Sequence, residues 1–320
     1  MSLPLVSIVI PCYQYGRFLG DCVRSALNQT DYPNVEVIVI NDASTDNTEE
    51  VLGKFHDSRL KCIRHERNQG SSLSITEGLT LASGKYVCRI DADDRHLPDF
   101  LLQTVPVMES SDEVGAVCGT VNLIDTDGNI TAVGQPREHD VRGNRFIDLL
   151  KKNFVTAPTL LARNELWKSA LPIPTDLTHT DWYLNLQIAR RAVFVERARV
   201  LADYRVHSSN LHTQLIVSKL EEPSTFHILE RMYQEQEKDT KLQQEKERAR
   251  DMVYASQYAD LFLKYFGARY TEDAKRCFDE GTSYSWKPFL TATHLRLRAA
   301  LALGLDRYEK WKALVRGRIR

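Results

Sequence analysis

The chain has 320 residues, 42% of them hydrophobic and 27% charged, with a formal net charge of −1. That length suits one large domain or two smaller ones, and the composition is that of an ordinary globular chain. Near-neutral charge excludes a global pull toward nucleic acid or an anionic membrane. The six cysteines show no C-x-x-C spacing and sit mostly inside apolar runs. They read as small buried hydrophobes in a reducing compartment. No stretch reaches the roughly 20 apolar residues of a spanning helix, and the first residues lead straight into a strand, so a cytosolic location is expected.

Leu5 to Ile10 is a β-rich run ended by Pro11, after which Phe18, Leu19, Cys22, Val23, Ala26 and Leu27 recur at helical spacing. Val35 to Ile40 repeats the pattern, and N-D-A-S-T-D-N-T over 41–48 supplies turn and cap residues before the next helix. Leu60 to His65 reads as a third strand and Ser71 to Ala82 as a helix stopped by Gly84. This alternation predicts a mostly parallel sheet flanked by helices, with ligands along one edge. Asp42 then falls at the end of the second strand.

Tyr86 to Ile90 reads as a short buried strand, followed by D-A-D-D-R-H-L-P-D, which packs Asp91, Asp93 and Asp94 into four positions. In open α/β sheets ligands bind at the carboxyl ends of strands. Acids this close lower their mutual repulsion by sharing a cation, and all-oxygen ligands suit Mg²⁺ or Mn²⁺, which keep open positions for phosphates. An EF-hand loop fails, because counting from Asp91 puts His96 where Gly is needed and Leu102 where Glu is needed. Asp94 or Asp99 also suits a helix N-cap, which is compatible with a metal site.

A helix is expected over Asp99 to Glu109, a strand over Val114 to Thr120 and a hairpin turn at D-T-D-G-N over 125–129. Val155 to Leu161, with Pro158 inside it, reads as an edge or irregular strand. Thr178 to Leu184 is a polar cap leading into a helix. Beyond about residue 215 the pattern is helical: a charged, exposed helix over Glu230 to Arg250, then a more apolar pair over Met252 to Phe266 and Thr271 to Phe278. The last segment carries Leu297, Leu301, Leu305, Tyr308, Trp311 and Val315 as an apolar stripe among arginines and lysines. It reads as a packed helix or, more sharply, as one that docks on a membrane surface or a partner.

V-S-I-V-I-P-C-Y, V-I-N-D-A-S-T-D, R-N-Q-G and A-S-G-K-Y-V-C-R-I-D-A-D-D, in this order and at these spacings, resemble family 2 of the inverting glycosyltransferases over roughly residues 4 to 210. The resemblance implies a GT-A fold over 1–215, with 216–320 as a helical C-terminal region. It implies a nucleotide-sugar donor, most often a UDP-sugar, held by Mn²⁺ or Mg²⁺. Carried over by position, Pro11 and Tyr13 line the nucleotide, Asp42 meets the base, Asp91 or Asp93 reaches the ribose, and Asp93 and Asp94 face the metal and diphosphate. T-D-W-Y-L resembles the family's E-D-x-x-L segment with Thr180 in place of Glu, so the general base falls on Asp181; a helix cap is its plainer role. His207, in Y-R-V-H, either reaches the metal or diphosphate or packs. The family's A-R-N-x-G run is S-I-T-E-G here, and Ile75 cannot make the arginine's contact; Arg64, Arg67 and Arg89 are the candidate substitutes.

Of the other nearby acids, Glu165 and Asp176 read as solvated, and Asp203, inside an apolar run, needs a partner, for which Arg205 is the candidate. Trp182 and Tyr183 flank Asp181 and would stack on an acceptor sugar. The expected activity is transfer of a sugar, with inversion, from a nucleoside diphosphate to a glycan, lipid-linked or other hydroxyl acceptor. A sugar nucleotidyltransferase and a non-catalytic nucleotide-sugar-binding module remain as rivals. Expected partners are small molecules and an acceptor, not nucleic acid, with peripheral contact to the inner membrane surface or to a protein through the C-terminal helix.

Overall fold

The computed structural model describes residues 3–207 and 211–303. The chain divides into two compact units, one of Met1–Leu149 and Asn153–Ser208, the other of Leu150–Lys152 and Ser209–Arg320. The boundary lies a few residues before the expected position at 215, which falls within a helix.

The first unit opens with β1 (Val6–Cys12), α1 (Gly16–Leu27), β2 (Val35–Asn41), α2 (Thr48–Leu52), β3 (Leu60–Arg64), α3 (Ser71–Leu81) and β4 (Tyr86–Arg89). The apolar runs become strands buried on both faces, as parallel strands covered by helices must be. The helical-spacing residues of α1 are its buried side, and Leu19, Cys22, Val23, Ala26 and Leu27 share a core with Val6, Ile8, Ile10, Val35, Val37 and Val39 of the sheet. Next come β5 (Arg95–His96), α4 (Phe100–Glu109), β6 (Val114–Ile124), β7 (Ile130–Ala132), β8 (Val141–Gly143), α5 (Phe146–Lys151), β9 (Leu161–Arg163), α6 (Asn164–Ser169), α7 (Thr180–Ala189) and β10 (Val193–Arg205).

The sheet order is β3-β2-β1-β4-β9-β6-β10-β5, with β7 on β6 and β8 on β10. β1 to β4 pair in parallel, as do β6 and β10, whereas β5, β7, β8 and β9 are short antiparallel insertions. The sheet is therefore mixed. Val155 to Leu161 is not an edge strand: Ala157–Thr159 is a 3₁₀ turn around Pro158, and β9 follows it into the middle of the sheet between β4 and β6. Proline's missing N–H ends pairing one turn earlier, and the next residues take the central position. β5 has the largest consequence for the site. By pairing His96 with Ala202 and Arg95 with Asp203, it ties the segment after the acids of β4 to the end of β10.

The second unit contains α8 (Leu211–Val217), α9 (Glu221–Gln234), α10 (Thr240–Gly267), α11 (Thr271–Tyr284) and α12 (Ala292–Leu303). The charged stretch over 230–250 is not one exposed helix. Asp239 caps α10 by accepting from the Lys241 and Leu242 amides, which breaks the chain after α9. Lys246 is fully buried and its ammonium donates to Met232 O, Glu235 O and Glu237 Oε1 at 2.9, 2.5 and 2.9 Å. A cation that closes the carbonyl end of one helix therefore reads, in sequence, as surface charge. The expected apolar pair is found as α10 and α11, which share a core of Ala259, Leu261, Phe262, Tyr265, Ala274, Cys277 and Phe278. Leu297 and Leu301, the first positions of the apolar stripe, are partly buried and pack against this core. The remainder of that stripe lies outside the described residues. No described helix is long and apolar enough to cross a membrane.

Candidate active site

β4 delivers the three acids to the carboxyl edge of the sheet. The Ile90 amide still bonds to Val9 O on β1, and the Asp94 amide closes a turn on Asp91 O at 3.0 Å. Asp91 is the accessible acid, with its side chain 39% exposed and accepting from Arg89 Nη2 at 2.6 Å. Asp93 is buried, with Oδ2 2.9 Å from His207 Nε2. Asp94 is 1% exposed; its Oδ1 accepts from the Arg205 amide at 2.8 Å, and its Oδ2 is buried with no hydrogen-bond partner. Burial, and then repulsion from the neighbouring acids, holds both Asp93 and Asp94 above the usual carboxylate range.

The end of β10 completes this cluster. Asp203 pairs with Arg95 at 2.7 Å and accepts from Asn122 at 2.9 Å, so its partner is not Arg205. The two residues lie on one strand, but β5 and β6 supply nearer donors from either side. Arg205, 1% exposed, instead donates to Asp93 O, Asp125 O and Thr126 O at 2.7, 2.8 and 3.1 Å, and its guanidinium lies 4.6 Å over the Phe18 ring. It binds the acid turn, the β6–β7 hairpin and α1 together. The His207 ring stacks on Phe18 with centroids 5.3 Å apart and leans on Tyr15 at 5.7 Å. An imidazole fixed on two aromatic rings presents Nε2 to Asp93 in one orientation.

Among the described residues, no cluster of three or more His, Cys, Asp or Glu side chains gathers as a metal cage. The donors present are Asp93 and His207, close to one another, and the unpartnered Asp94 Oδ2. This set fits a hard divalent ion that uses one or two carboxylates and takes its remaining ligands from water and substrate phosphates.

The loop after β1 is pinned to the loop after β2. The Gln14 amide donates to Ser44 Oγ at 3.0 Å, Gln14 Nε2 to Thr45 Oγ1 at 2.8 Å, and the Gly16 amide to Asp46 Oδ2 at 2.8 Å. A Cβ at Gly16 would lie 2.4 Å from Asn47 Oδ1 and 2.6 Å from the Thr48 nitrogen, so only glycine permits this approach. Pro11, near the end of β1, is partly exposed, and Tyr13 beyond it has 46% of its surface exposed.

Asp42, 3% exposed, is held by three donors. The Gln69 amide and His65 Nδ1 meet Oδ1 at 2.8 and 2.7 Å, and the Gly70 amide meets Oδ2 at 2.9 Å. The consecutive amides converge because Gly70 takes a φ of +89°, a conformation that favours glycine. Ile75 is buried in the core at 2% exposure, as its side chain demands. Of the three arginines that are candidates for the missing nucleotide contact, Arg64 pairs with Glu49, Arg89 pairs with Asp91, and Arg67 is exposed. The basic side chain at Asp42 is His65, whose neighbour Glu77 lies on α3. No local pattern marks that pair, because it joins a strand end to a helix.

Asp181 lies in the first turn of α7, whose N-cap position is His179, so Asp181 is not the capping residue. Its Oδ2 accepts from Asn153 Nδ2 at 3.1 Å, and Asn185 Nδ2 donates in turn to Asn153 Oδ1 at 3.1 Å. Asp181 shares the electrostatic neighbourhood of the acid turn: Arg89, which burial disfavours as a cation, is held charged by Asp91, Asp181 and Asp94. Tyr204 is pushed upward by burial and then by Asp94, Asp91, Asp93 and Asp181. The flanking aromatics do not form an acceptor platform. Trp182 is 4% exposed and its indole N–H donates to Leu149 O at 2.8 Å, and Tyr183 is 7% exposed. Glu165 and Asp176 are exposed, as expected.

The glycosyl transferase family 2 model matches residues 7–167. A glycosyltransferase of Haemophilus influenzae is 37% identical over 219 residues, covering 65% of this chain and 67% of its own length. Glycosyltransferase GlyG of Streptococcus pneumoniae is 32% identical over 128 residues, covering 39% of this chain and 42% of its own length. Among solved structures, the mannosyltransferase PcManGT of Pyrobaculum calidifontis in complex with GDP-Man and Mn²⁺ aligns with a TM-score of 0.62 at 18% identity, over 98% of this chain and 84% of that one. S. aureus TarS 1–349 in complex with UDP-GlcNAc aligns with a TM-score of 0.56 at 16% identity, over 87% of this chain and 91% of that one. These two likenesses support the GT-A-like fold. The family match covers half of the chain, and with the ordered motifs and the mixed sheet it leads to one conclusion: the chain belongs to glycosyl transferase family 2.

Proposed function

We propose that the chain transfers a sugar, with inversion, from a UDP-sugar to an acceptor hydroxyl in glycan or glycoconjugate synthesis, with Mn²⁺ or Mg²⁺ required. The observation that carries this reading is the meeting of Asp91, Asp93 and Asp94 with His207 at one sheet edge, within the electrostatic reach of Asp181. Asp93, Asp94 and His207 are the residues that would hold the metal, and Asp91 is the ribose acceptor. Once bound, the divalent ion neutralises the charge that grows on the departing diphosphate.

Asp181 takes the acceptor proton as the hydroxyl attacks the anomeric carbon from the face opposite the diphosphate. Asn153 orients its carboxylate by occupying Oδ2. The accounting at Asp42 supports uracil as the base. A carboxylate offers about four lone-pair positions. His65, Gln69 and Gly70 take three, two on Oδ1 and one on Oδ2. The remaining position suits the single N–H of uracil better than the paired N–H groups of guanine.

Release of nucleoside diphosphate from a panel of UDP-, GDP- and TDP-sugars, with and without Mn²⁺, tests the reading. Metal-dependent release of UDP is expected. A protein that binds donors but releases none at any acceptor would be a binding module, and one that releases pyrophosphate from sugar phosphate and UTP would be a nucleotidyltransferase.

A further inference from the structure

At the base end of the site, His65 is held between two acids from different elements. Its ring is 5% exposed, with Nδ1 2.7 Å from Asp42 Oδ1 and Nε2 2.6 Å from Glu77 Oε2. Ionised carboxylates only accept hydrogen bonds, so two such contacts require a hydrogen on both ring nitrogens. The geometry therefore suits the imidazolium form of the ring. Its own amide donates to Asn41 O at 3.0 Å, which fixes the end of β3 beside the residue that precedes Asp42. The charged groups facing the ring are Asp42, after β2, and Glu77, on α3; Arg64, the neighbouring cation, turns to Glu49. Burial disfavours charge on the ring, but the hydrogen bonds and charges of Asp42 and Glu77 outweigh it and raise its pKa above the ordinary histidine value.

We propose that His65 is a positioning residue for donor recognition: its imidazolium fastens the base-reading carboxylate of Asp42 to α3 through Glu77, and donor affinity declines when that charge is lost. This rests on the reading of Asp42 as the base acceptor. A neutral ring has one N–H for two carboxylates, so either Asp42 or Glu77 must face a lone pair. Glu77, with 41% of its side chain exposed, has water to turn to; Asp42, with 4%, has little. In both cases the anionic donor loses a nearby positive charge.

The sign separates this effect from the metal site. The imidazolium is present below its raised pKa and is lost as pH rises through it. The metal site acts in the opposite sense, because carboxylate ligands take a cation only when deprotonated, which weakens donor binding on the acid side. An alkaline limb in donor affinity therefore belongs to His65.

Calorimetric titration with UDP-glucose and Mn²⁺, from about pH 5.5 to 8.5, tests this on the wild-type chain, His65→Gln and Glu77→Gln. The phosphates and the uracil N–H of UDP-glucose do not titrate in that range. The wild type should lose roughly tenfold in affinity along the alkaline limb, the worth of one hydrogen bond to a charged group. His65→Gln should be flat there, and Glu77→Gln should move the midpoint to lower pH. An alkaline limb of equal depth in His65→Gln overturns the proposal. If that variant does not fold, an unmoved midpoint in Glu77→Gln overturns it instead. Absence of UDP-glucose binding by the wild type at every pH overturns the donor reading itself, and this proposal with it.

Discussion

Asp181→Asn is expected to lower kcat by about 10²–10⁴-fold while leaving UDP affinity within a few-fold. The substitution keeps the size of the side chain and an acceptor for Asn153 Nδ2, but removes the basic oxygen. A loss of that size corresponds to about 3–5 kcal/mol of transition-state stabilisation. The plainer role of Asp181, a negative charge in the first turn of α7, is worth only about 0.3–1 kcal/mol, and in stability rather than turnover. The two roles therefore predict different observables. Single-turnover kinetics with a competent acceptor, alongside thermal unfolding, separates them: full turnover with a small drop in melting temperature would assign Asp181 to the helix alone.

Asp93→Ala is expected to abolish the Mn²⁺-dependent part of donor binding, a loss of at least about 10²-fold, beyond what removal of a supporting outer partner costs. The magnitude follows from the small donor set: Asp93 and His207 lie 2.9 Å apart, and the acid turn adds the Asp94 Oδ2 atom to them. A site with so few protein ligands has no substitute for one of them. Asp93→Asn, which keeps the shape and a contact for His207, should show the same loss, so that packing is not the cause. Titration calorimetry with UDP and Mn²⁺ measures both. Unchanged affinity in either variant would move the metal elsewhere.

Much of this architecture is legible in the sequence because parallel strands are continuous apolar runs and α1 repeats its buried residues at helical spacing. The acid turn is legible because its three carboxylates are neighbours in the chain. His207 is another matter: it lies 114 residues beyond Asp93, and only the family resemblance connects them. The elements that sequence reasoning misses are those set by tertiary contacts. β5 and β9, of two and three residues, carry no period of their own and exist because β10, β4 and β6 stand beside them.

Side-chain roles that depend on burial are equally hidden. Trp182, next to the candidate base, reads as well for an acceptor platform as for core, and the Leu149 carbonyl decides for core. Arg205 reads as the partner of Asp203, yet its guanidinium spans the acid turn and the β6–β7 hairpin. His65 and Glu77 are ordinary polar residues until β3 and α3 bring them to opposite sides of one ring.

Asp93, Asp94 and His207 are proposed to hold a divalent ion together with the diphosphate of a nucleotide. Because the protein side supplies so few ligands, Mn²⁺ alone should bind weakly, and UDP should complete the site. Electron paramagnetic resonance of free Mn²⁺ reads this directly in a titration with the full chain. The free-ion signal should fall little with protein alone and stoichiometrically when UDP and protein are both present, beyond the loss caused by UDP alone. A signal in which protein adds nothing to the effect of UDP would contradict it.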